Sequence, residues 1–501
     1  MKKKYVRWTL WTIASPFILF IILCILIYLP PIQNFLVDKA AVYASEATGM
    51  NISVGRISLS FPLNLVVTDV DAASPHKDTL LSVRRLQVNV QLLPLLKKQV
   101  EVDGISLQGA TVNSNDLIHG MRLNGTLGEL FISSHGVALD PETAIVNKVL
   151  LKDTDLSLCL NDTAAADTAA SDTTYWKIIL QDIDLQNVSF ALDMPLDSLS
   201  LAASLDNATL RDGLIDLHKS AYSLQTFRIK NGRVRYDSGR PSATASADSL
   251  SAGLDPSHIA LTDIGVKLDS LYYEGRNMKA IISQFVLKER SGVEIVSTEG
   301  RLVSNDKVLR VPSLKLETRD SYLELNAAMD WDALDFKKEG LVSARLMADI
   351  GKPDVVRFMG SMDEKFIRKY PSEPLRIRTG IDGDLNKLKL TTLTAELPGA
   401  LELFAKGELT SLTDSLLRGG DITLQAETKD LKFISTLAEG IEIPYGTRLE
   451  GKFTMAGPKM GTDLLLMQPE AHAVAAADTI PITVYNDSIS VADDFKMERA
   501  A

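Results

Sequence analysis

From about residue 51 onward, apolar side chains recur at every second position in short units, each followed by an odd gap and a second alternating pair. Ile105 and Leu107 precede Ala110 and Val112; Ile183 and Leu185 precede Val188 and Phe190; Phe227 and Ile229 precede Val234 and Tyr236. Side chains alternate faces along a strand, so an odd gap would throw the second pair onto the opposite face. A bulge or tight turn must absorb it, and Gln108-Gly109, Gln186-Asn187 and Asn231-Gly232 supply suitable residues. The pattern predicts a mainly β protein built from strand, kink and strand.

Two other periodicities precede this region. Residues 9–29 are an apolar run after the basic residues 1–8, and no charge falls between Arg7 and Asp38. Twenty-one helical residues at ~1.5 Å each span roughly 30 Å, a hydrocarbon core. The run exceeds a signal-peptide apolar core and lacks a small-x-small cleavage site, so an uncleaved anchor is expected. Lys2, Lys3, Lys4 and Arg7 would hold the N-terminus in the cytoplasm. Residues 32–48 carry Ile32, Phe35, Leu36, Ala40, Tyr43, Ala44 and Ala47 at helical spacing, with Gly49 as a stop.

Residues 161–174 and 238–250 are small, polar and low in complexity, and read as exposed loops. The last third has a longer repeat. Asp354-Val355-Val356-Arg357-Phe358-Met359 reads as a helix start before alternating strands at 375–383. Asp430-Leu431-Lys432-Phe433-Ile434 precedes another alternating stretch from Arg448. Such a period marks a modular architecture. The expected divisions are thus a tail at 1–8, an anchor at 9–29, an amphipathic helix at 32–48, a β-repeat region at 51–345 containing the loop 161–174, helix-plus-strand repeats at 346–457, and the start of a further, truncated β-module at 458–501.

Composition narrows the function classes. The 501 residues are 46% apolar and 23% charged, with Lys+Arg 53 against Asp+Glu 64 and a net charge of −11. No basic stripe for nucleic acid runs through the chain. Cys24 and Cys159 are the two cysteines, too few for a disulfide scaffold or a Cys-based zinc site. The six histidines are scattered without HxxxH or HxH spacing. Asp182/Asp184 and Asp153/Asp155 alternate with apolar residues, which places them on a solvated strand face. Gly446 to Lys452 approaches a phosphate loop, but Phe453 stands where Mg²⁺ binding needs Ser or Thr. No catalytic, metal or cofactor site is expected.

Residues 1–115 resemble the opening of the AsmA-like superfamily of Gram-negative envelope proteins, particularly its TamB-like branch. The likeness runs from the anchor through Thr48 to Ile57, Pro62 to Val70, Leu80 to Val83, Leu92 to Lys98 and Val102 to Leu107, and the 354–457 repeat looks like the middle of TamB-like chains. The resemblance implies a single-pass inner-membrane protein, mostly periplasmic, with an elongated, curved antiparallel sheet forming an open hydrophobic groove and a few short helices. It also implies phospholipid passage between membranes or help in outer-membrane protein assembly, with phospholipid, the inner membrane and an outer-membrane barrel assembly protein as partners. The C-terminal β-domain of that branch is not found before Ala501.

An uncovered apolar sheet face must bind something apolar or aggregate. Exposing an acyl chain to water costs about 0.8 kcal/mol per CH₂, on the order of 12 kcal/mol for ~16 carbons. The candidate lipid-groove residues are Ile105, Leu107, Ile183, Leu185, Phe227, Ile229, Leu314, Leu316, Leu401, Leu403, Phe453 and Met455. Each could equally pack in an ordinary sandwich core.

Overall fold

A computed structural model describes helical residues between 39 and 46, most of 49–467, and 479–485. Outside it lie 1–38, 61–63, 75–78, 92–101, 115–119, 139–141, 162–174, 240–252, 359–363, 413–416, 437–444, 468–478, 486–501 and some isolated positions. The expected tail, anchor and both low-complexity loops fall largely or wholly outside the described residues. So does most of the 32–48 helix. Lys39, Ala41, Val42, Ser45 and Glu46 are helical. Gly49 ends that helix as expected: it takes φ 70° and its N–H bonds the Ser45 carbonyl at 2.9 Å.

The described chain is mainly β and divides into two units at Arg240/Pro241, inside the stretch expected to be the second loop. The division anticipated at 345/346 falls instead within a strand, Val342–Ile350.

The N-terminal unit contains β1 (Asn51–Ser60), β2 (Asn64–Ala73), β3 (Thr79–Val90), β4 (Val102–Asn113), β5 (Met121–Ala138), β6 (Thr143–Leu160), β7 (Lys177–Met194), β8 (Leu199–Asp216), β9 (Ala221–Leu224) and β10 (Thr226–Ser238). Each strand from β1 to β8 pairs with the next, and β8 also pairs with β10. The expected pairs of short strands are continuous strands with a kink inside them. The expected antiparallel sheet has one exception: β6 and β7 run parallel from Thr143↔Lys177 to Cys159↔Asp193.

The kinks form a single crease. Gly55, Asp69, Arg84, Gly109, Gly128, Asp153, Asn187, Asp206 and Asn231 are skipped in the registers of successive strands, one residue per strand. Asp69, Gly109, Asp153, Asn187 and Asn231 have φ between 49° and 62°. Asp, Asn and Gly are the residue types that enter the left-handed region at least cost. Opposite them the chain needs room: a Cβ on Gly55 would stand 2.9 Å from that of Asp69, and one on Gly128 2.8 Å from that of Asp153. Asn187 Nδ2 donates to Asp153 Oδ1 at 2.8 Å, and Asn231 Nδ2 donates to Asp206, so crease residues also bond one another.

The crease explains the parallel pair. In β4, Leu107-Gln108-Gly109-Ala110 reads apolar, polar, crease, apolar from N to C. Leu151-Lys152-Asp153 in β6 and Leu185-Gln186-Asn187-Val188 in β7 have that same sense, whereas β5 and β8 have the reverse. Antiparallel neighbours need opposite senses to align both crease and apolar positions. β6 and β7 share one sense, and only parallel pairing aligns them.

The C-terminal unit contains β11 (His258–Glu274), β12 (Asn277–Glu289), β13 (Glu294–Ser304), β14 (Val308–Thr318), β15 (Tyr322–Asp330), β16 (Val342–Ile350), β17 (Leu375–Gly383), β18 (Lys387–Leu397), β19 (Leu401–Thr410), β20 (Gly419–Thr428), β21 (Arg448–Ala456), β22 (Lys459–Met467) and β23 (Thr479–Tyr485), each pairing antiparallel with the next. Between β16 and β17 lie α1 (Lys352–Phe358) and α2 (Glu364–Lys369). The stretch at Asp430, the counterpart of Asp354 in the expected helix-plus-strand repeat, is a turn into a short 3-10 helix, Ile434–Thr436.

These connections build the closed core of this unit. Phe366, Tyr370, Leu397, Ala400, Leu431 and Phe433 are buried together, and the Phe433 ring lies 5.8 Å from Phe366 and 5.2 Å from Tyr370. Burial raises the Tyr370 phenol pKa above its ordinary value. α1 docks through Asp354, which is fully buried. Its carboxylate accepts from the Thr318 and Ser321 hydroxyls and pairs with Arg357 at 2.9 Å. Arg357 also reaches Asp320 at 2.8 Å. Every charge buried by the docking therefore has a partner.

Candidate functional site

The registers of the N-terminal unit sort its residues into rows that cross nine strands. One row is Ile57, Val67, Leu86, Leu107, Leu130, Leu151, Leu185, Ala208 and Ile229. The next is Leu59, Leu65, Val88, Ile105, Ile132, Val149, Ile183, Leu210 and Phe227. Six sequence-derived candidates, from three distant segments, thus share two adjacent apolar rows. Across the crease lie two more rows, starting at Val54 and Ile52 and including Ala110 with Val112 and Val188 with Phe190. The extra residue in every strand returns these rows to the face that an unbroken alternation would have denied them.

The intervening rows are mainly polar, although the one from Ser58 to Arg228 also holds Val66, Phe131 and Leu150. Arg56, Thr68, Arg85, Gln108, Glu129, Lys152, Gln186, Asn207 and Lys230 form one of them. The acidic pairs of the sequence fall on this side. Asp184 bonds Arg211 at 3.0 Å, Asp182 also pairs with Arg211, and Ser189 Oγ donates to Asp155 Oδ2 at 2.6 Å. They act as cross-strand ties. Arg448 to Lys452 of the phosphate-loop look-alike lie in β21, and Lys452 pairs with Asp421 at 2.9 Å.

Exposure varies along the apolar rows: Val67, Ala72, Val83 and Ala208 are buried. Ile105, Leu107, Ile183, Leu185, Phe227 and Ile229 are all half-buried, and Phe190 is 38% exposed. Neighbours within a sheet cover the flanks of each side chain; a second layer is needed to cover its tip. Among the described residues, no helix is inserted between the strands that carry these rows.

In the C-terminal unit, Leu316 and Leu403 share a row through Leu323, Ala348, Ile377 and Ala395, and Leu314 lies in the adjacent row with Leu325 and Leu346. Leu401 packs against the closed core around Phe366, where the ordinary-core reading holds. Phe453 and Met455 pair in register with Ile422 and Gly420; their side chains are outside the described residues. A depression of about 710 Å³ is lined by charged residues, Arg376, Glu396, Glu427 and Arg448 among them, and by Leu403 and Phe404. Its charges pair across strands, Arg376 with Glu396 at 3.5 Å and Arg448 with Glu427 at 3.4 Å, and such exposed pairs contribute at most about 1 kcal/mol each.

Alternation alone did not reveal Leu180 and Leu192, which the register aligns with Val146 and Leu158, or the crease residues Asp69 and Asp153. The recurrent Asp, Asn or Gly between apolar pairs was the available signal. Among the described residues no helix is long and apolar enough to cross a membrane, and no cluster of His, Cys, Asp and Glu could hold a metal. Scans against protein-family models, curated proteins and solved structures find no match.

Proposed function

We propose that the chain is a non-enzymatic, membrane-anchored envelope protein that carries phospholipid acyl chains along the apolar face of its sheet. The observation supporting this reading is the set of apolar rows, unbroken by charge across nine strands, whose side chains are half-buried apart from buried members such as Val67, Val83 and Ala208. An acyl chain laid across the strands exchanges water for side-chain contact at every step, while its headgroup stays in solvent. Moving from one strand to the next then costs little, because the surroundings repeat. The apolar run at 9–29 would tether this face to the membrane that supplies the lipid.

Assembly of outer-membrane strands by edge pairing is the competing role. β1 pairs with β2 alone among the described residues, which offers an edge. The crease opposes that role. A client strand of unbroken alternation could align its apolar side chains on one side of Gly55, but would present the wrong face on the other.

The test is a paired measurement on Leu107→Asp and Leu185→Asp in the full chain. An open face gives the new carboxylate a route to water, so the thermal midpoint should change little while co-purified phospholipid, counted by mass spectrometry, falls sharply. Ser106→Asp and Gln186→Asp, on the polar side, should alter neither. Unfolding of both Leu variants would indicate a closed core; unchanged lipid in folded variants would sink the carrier reading.

A further inference from the structure

The two ends of the strands in the C-terminal unit are finished differently. The closed core sits where β16 passes to β17, whereas the turns β11–β12, β13–β14 and β15–β16 lie at the opposite end. Trp331, just after β15, ties these turns together. Its Nε1 donates to the Asn305 carbonyl at 2.8 Å and to Ser304 Oγ at 3.1 Å, and the Arg276 guanidinium lies 5.5 Å from the ring centre. A Cβ on Gly340 would clash with the Ala333 backbone, so the chain around Trp331 is held close. On this tip Leu334 and Leu341 are 60% and 64% exposed, and Tyr272 and Tyr273 are exposed beside them. Acids of the tip have partners within the chain: Glu274 accepts from the Tyr272 hydroxyl, Asp330 from the Leu341 N–H at 3.0 Å, and Asp332 pairs with Lys338 at 2.9 Å.

The polar face next to this tip is basic. Tyr272, Lys279, Val303, Arg310, Ala328 and Ser343 form the row nearest the turns. The next positions are Ser270, Ile281, Arg301 and Ser313, then Asn326 and Arg345 beyond a bulge in β14. Lys279, Arg301, Arg310 and Arg345 are exposed, and no acid occupies either row from β11 to β16. We propose that this end of the C-terminal unit docks on an anionic lipid surface. The four cations stand two or three residues from their strand ends, or about 7–10 Å at the rise of a strand. That is about one Debye length, so a surface touching Leu334 and Leu341 also feels the cations. The headgroup layer suits both features: it takes up Leu, Trp and Tyr at its apolar boundary and sets phosphates against Lys and Arg. A soluble polyanion would leave Leu334 and Leu341 in water, and a second copy of this tip would bring like charges together. In a chain of net charge −11, attraction to such a surface has to be local. The docking does not depend on whether the apolar rows carry lipid.

The experiment holds the full-length protein in nanodiscs of dioleoylphosphatidylcholine, so that its apolar run at 9–29 is already accommodated. The discs are offered vesicles of dioleoylphosphatidylcholine, alone or with about one third dioleoylphosphatidylglycerol, and the protein that floats with the vesicles is counted. At least about tenfold more should float with the phosphatidylglycerol vesicles. Each cation near an anionic surface is worth about fivefold in binding, so Arg301→Gln with Arg310→Gln should lower flotation at least about tenfold. Leu334→Ser with Leu341→Ser should lower it at least about fivefold. Arg228→Gln with Lys230→Gln removes the same charge from exposed positions of β10 and should leave it unchanged. Lys279→Gln with Arg345→Gln replaces the first pair if that pair lowers the thermal midpoint. Equal flotation with both vesicles, flotation with neither, an equal loss in the β10 variant, or full flotation of the tip or patch variant would overturn the proposal. Pairing of discs with one another in place of flotation would overturn it in favour of a second copy.

Discussion

The two units use the same alternation of apolar and polar side chains and complete it differently. In the C-terminal unit, α1, α2 and the turn after β20 fold over one end of the sheet, and side chains such as Phe366 at 2% and Leu431 at 5% exposure become a closed core. The N-terminal unit has no such insertion among its described residues, and most side chains of its apolar rows remain only half-buried. Alternation therefore specifies which side chains share a face, not whether that face is covered. Coverage comes from what the connections between strands contain.

The sharpest way to break this comparison is truncation on each side. Phe366→Ala should cost roughly 3–5 kcal/mol, as for a ring removed from a packed core. Leu185→Ala should cost less, about 1–2 kcal/mol, because part of its surface already meets solvent. Denaturant unfolding of the two variants measures the difference; equal losses would mean the N-terminal rows are covered after all. The crease provides a smaller effect. Asn187, at φ 51°, should tolerate Gly within a few tenths of a kcal/mol, while Asn187→Val should cost about 1–2 kcal/mol through its β-branched side chain.

The smallest expected effect concerns pH. The raised pKa of Tyr370 favours the neutral phenol in the fold, so its contribution is intact below the unfolded value near 10 and is lost as pH rises through the folded value. Tyr370→Phe should flatten the decline of thermal midpoint above pH 10.

Much of this arrangement was legible in the chain. The odd gaps at Gly109, Asn187 and Asn231 announced kinks because alternation admits no other repair, and those three residues do take positive φ. The grouping of Ile105, Ile183 and Phe227 into one row was not legible, since it depends on which strands pair and in what register. The parallel pair had a readable sign. β4 and β7 carry the kink motif in one sense with two strands between them, which is incompatible with purely antiparallel pairing from one to the other. The helix start at Asp354 was readable from its apolar spacing, whereas the similar text at Asp430 became a turn: Asp430 Oδ1 accepts the Lys432 N–H at 3.1 Å, closing the chain locally before a helix can propagate. Leu401 and Leu403 look alike in sequence. Only the residues folded over the strand end separate the core position from the open one.

The β6–β7 junction also bears on how the N-terminal unit folds. Within β1 to β6, and again within β7 to β10, neighbouring strands are joined through nearby chain, so each group can zip up by short loop closures. The junction between them joins residues 34 apart at every registered position, from Thr143↔Lys177 to Cys159↔Asp193. No tight turn can start it, and its loop entropy must be met before the first pair forms. The unit therefore consists kinetically of two locally nucleated meanders that meet late along one seam, the line where partial unfolding would first divide it.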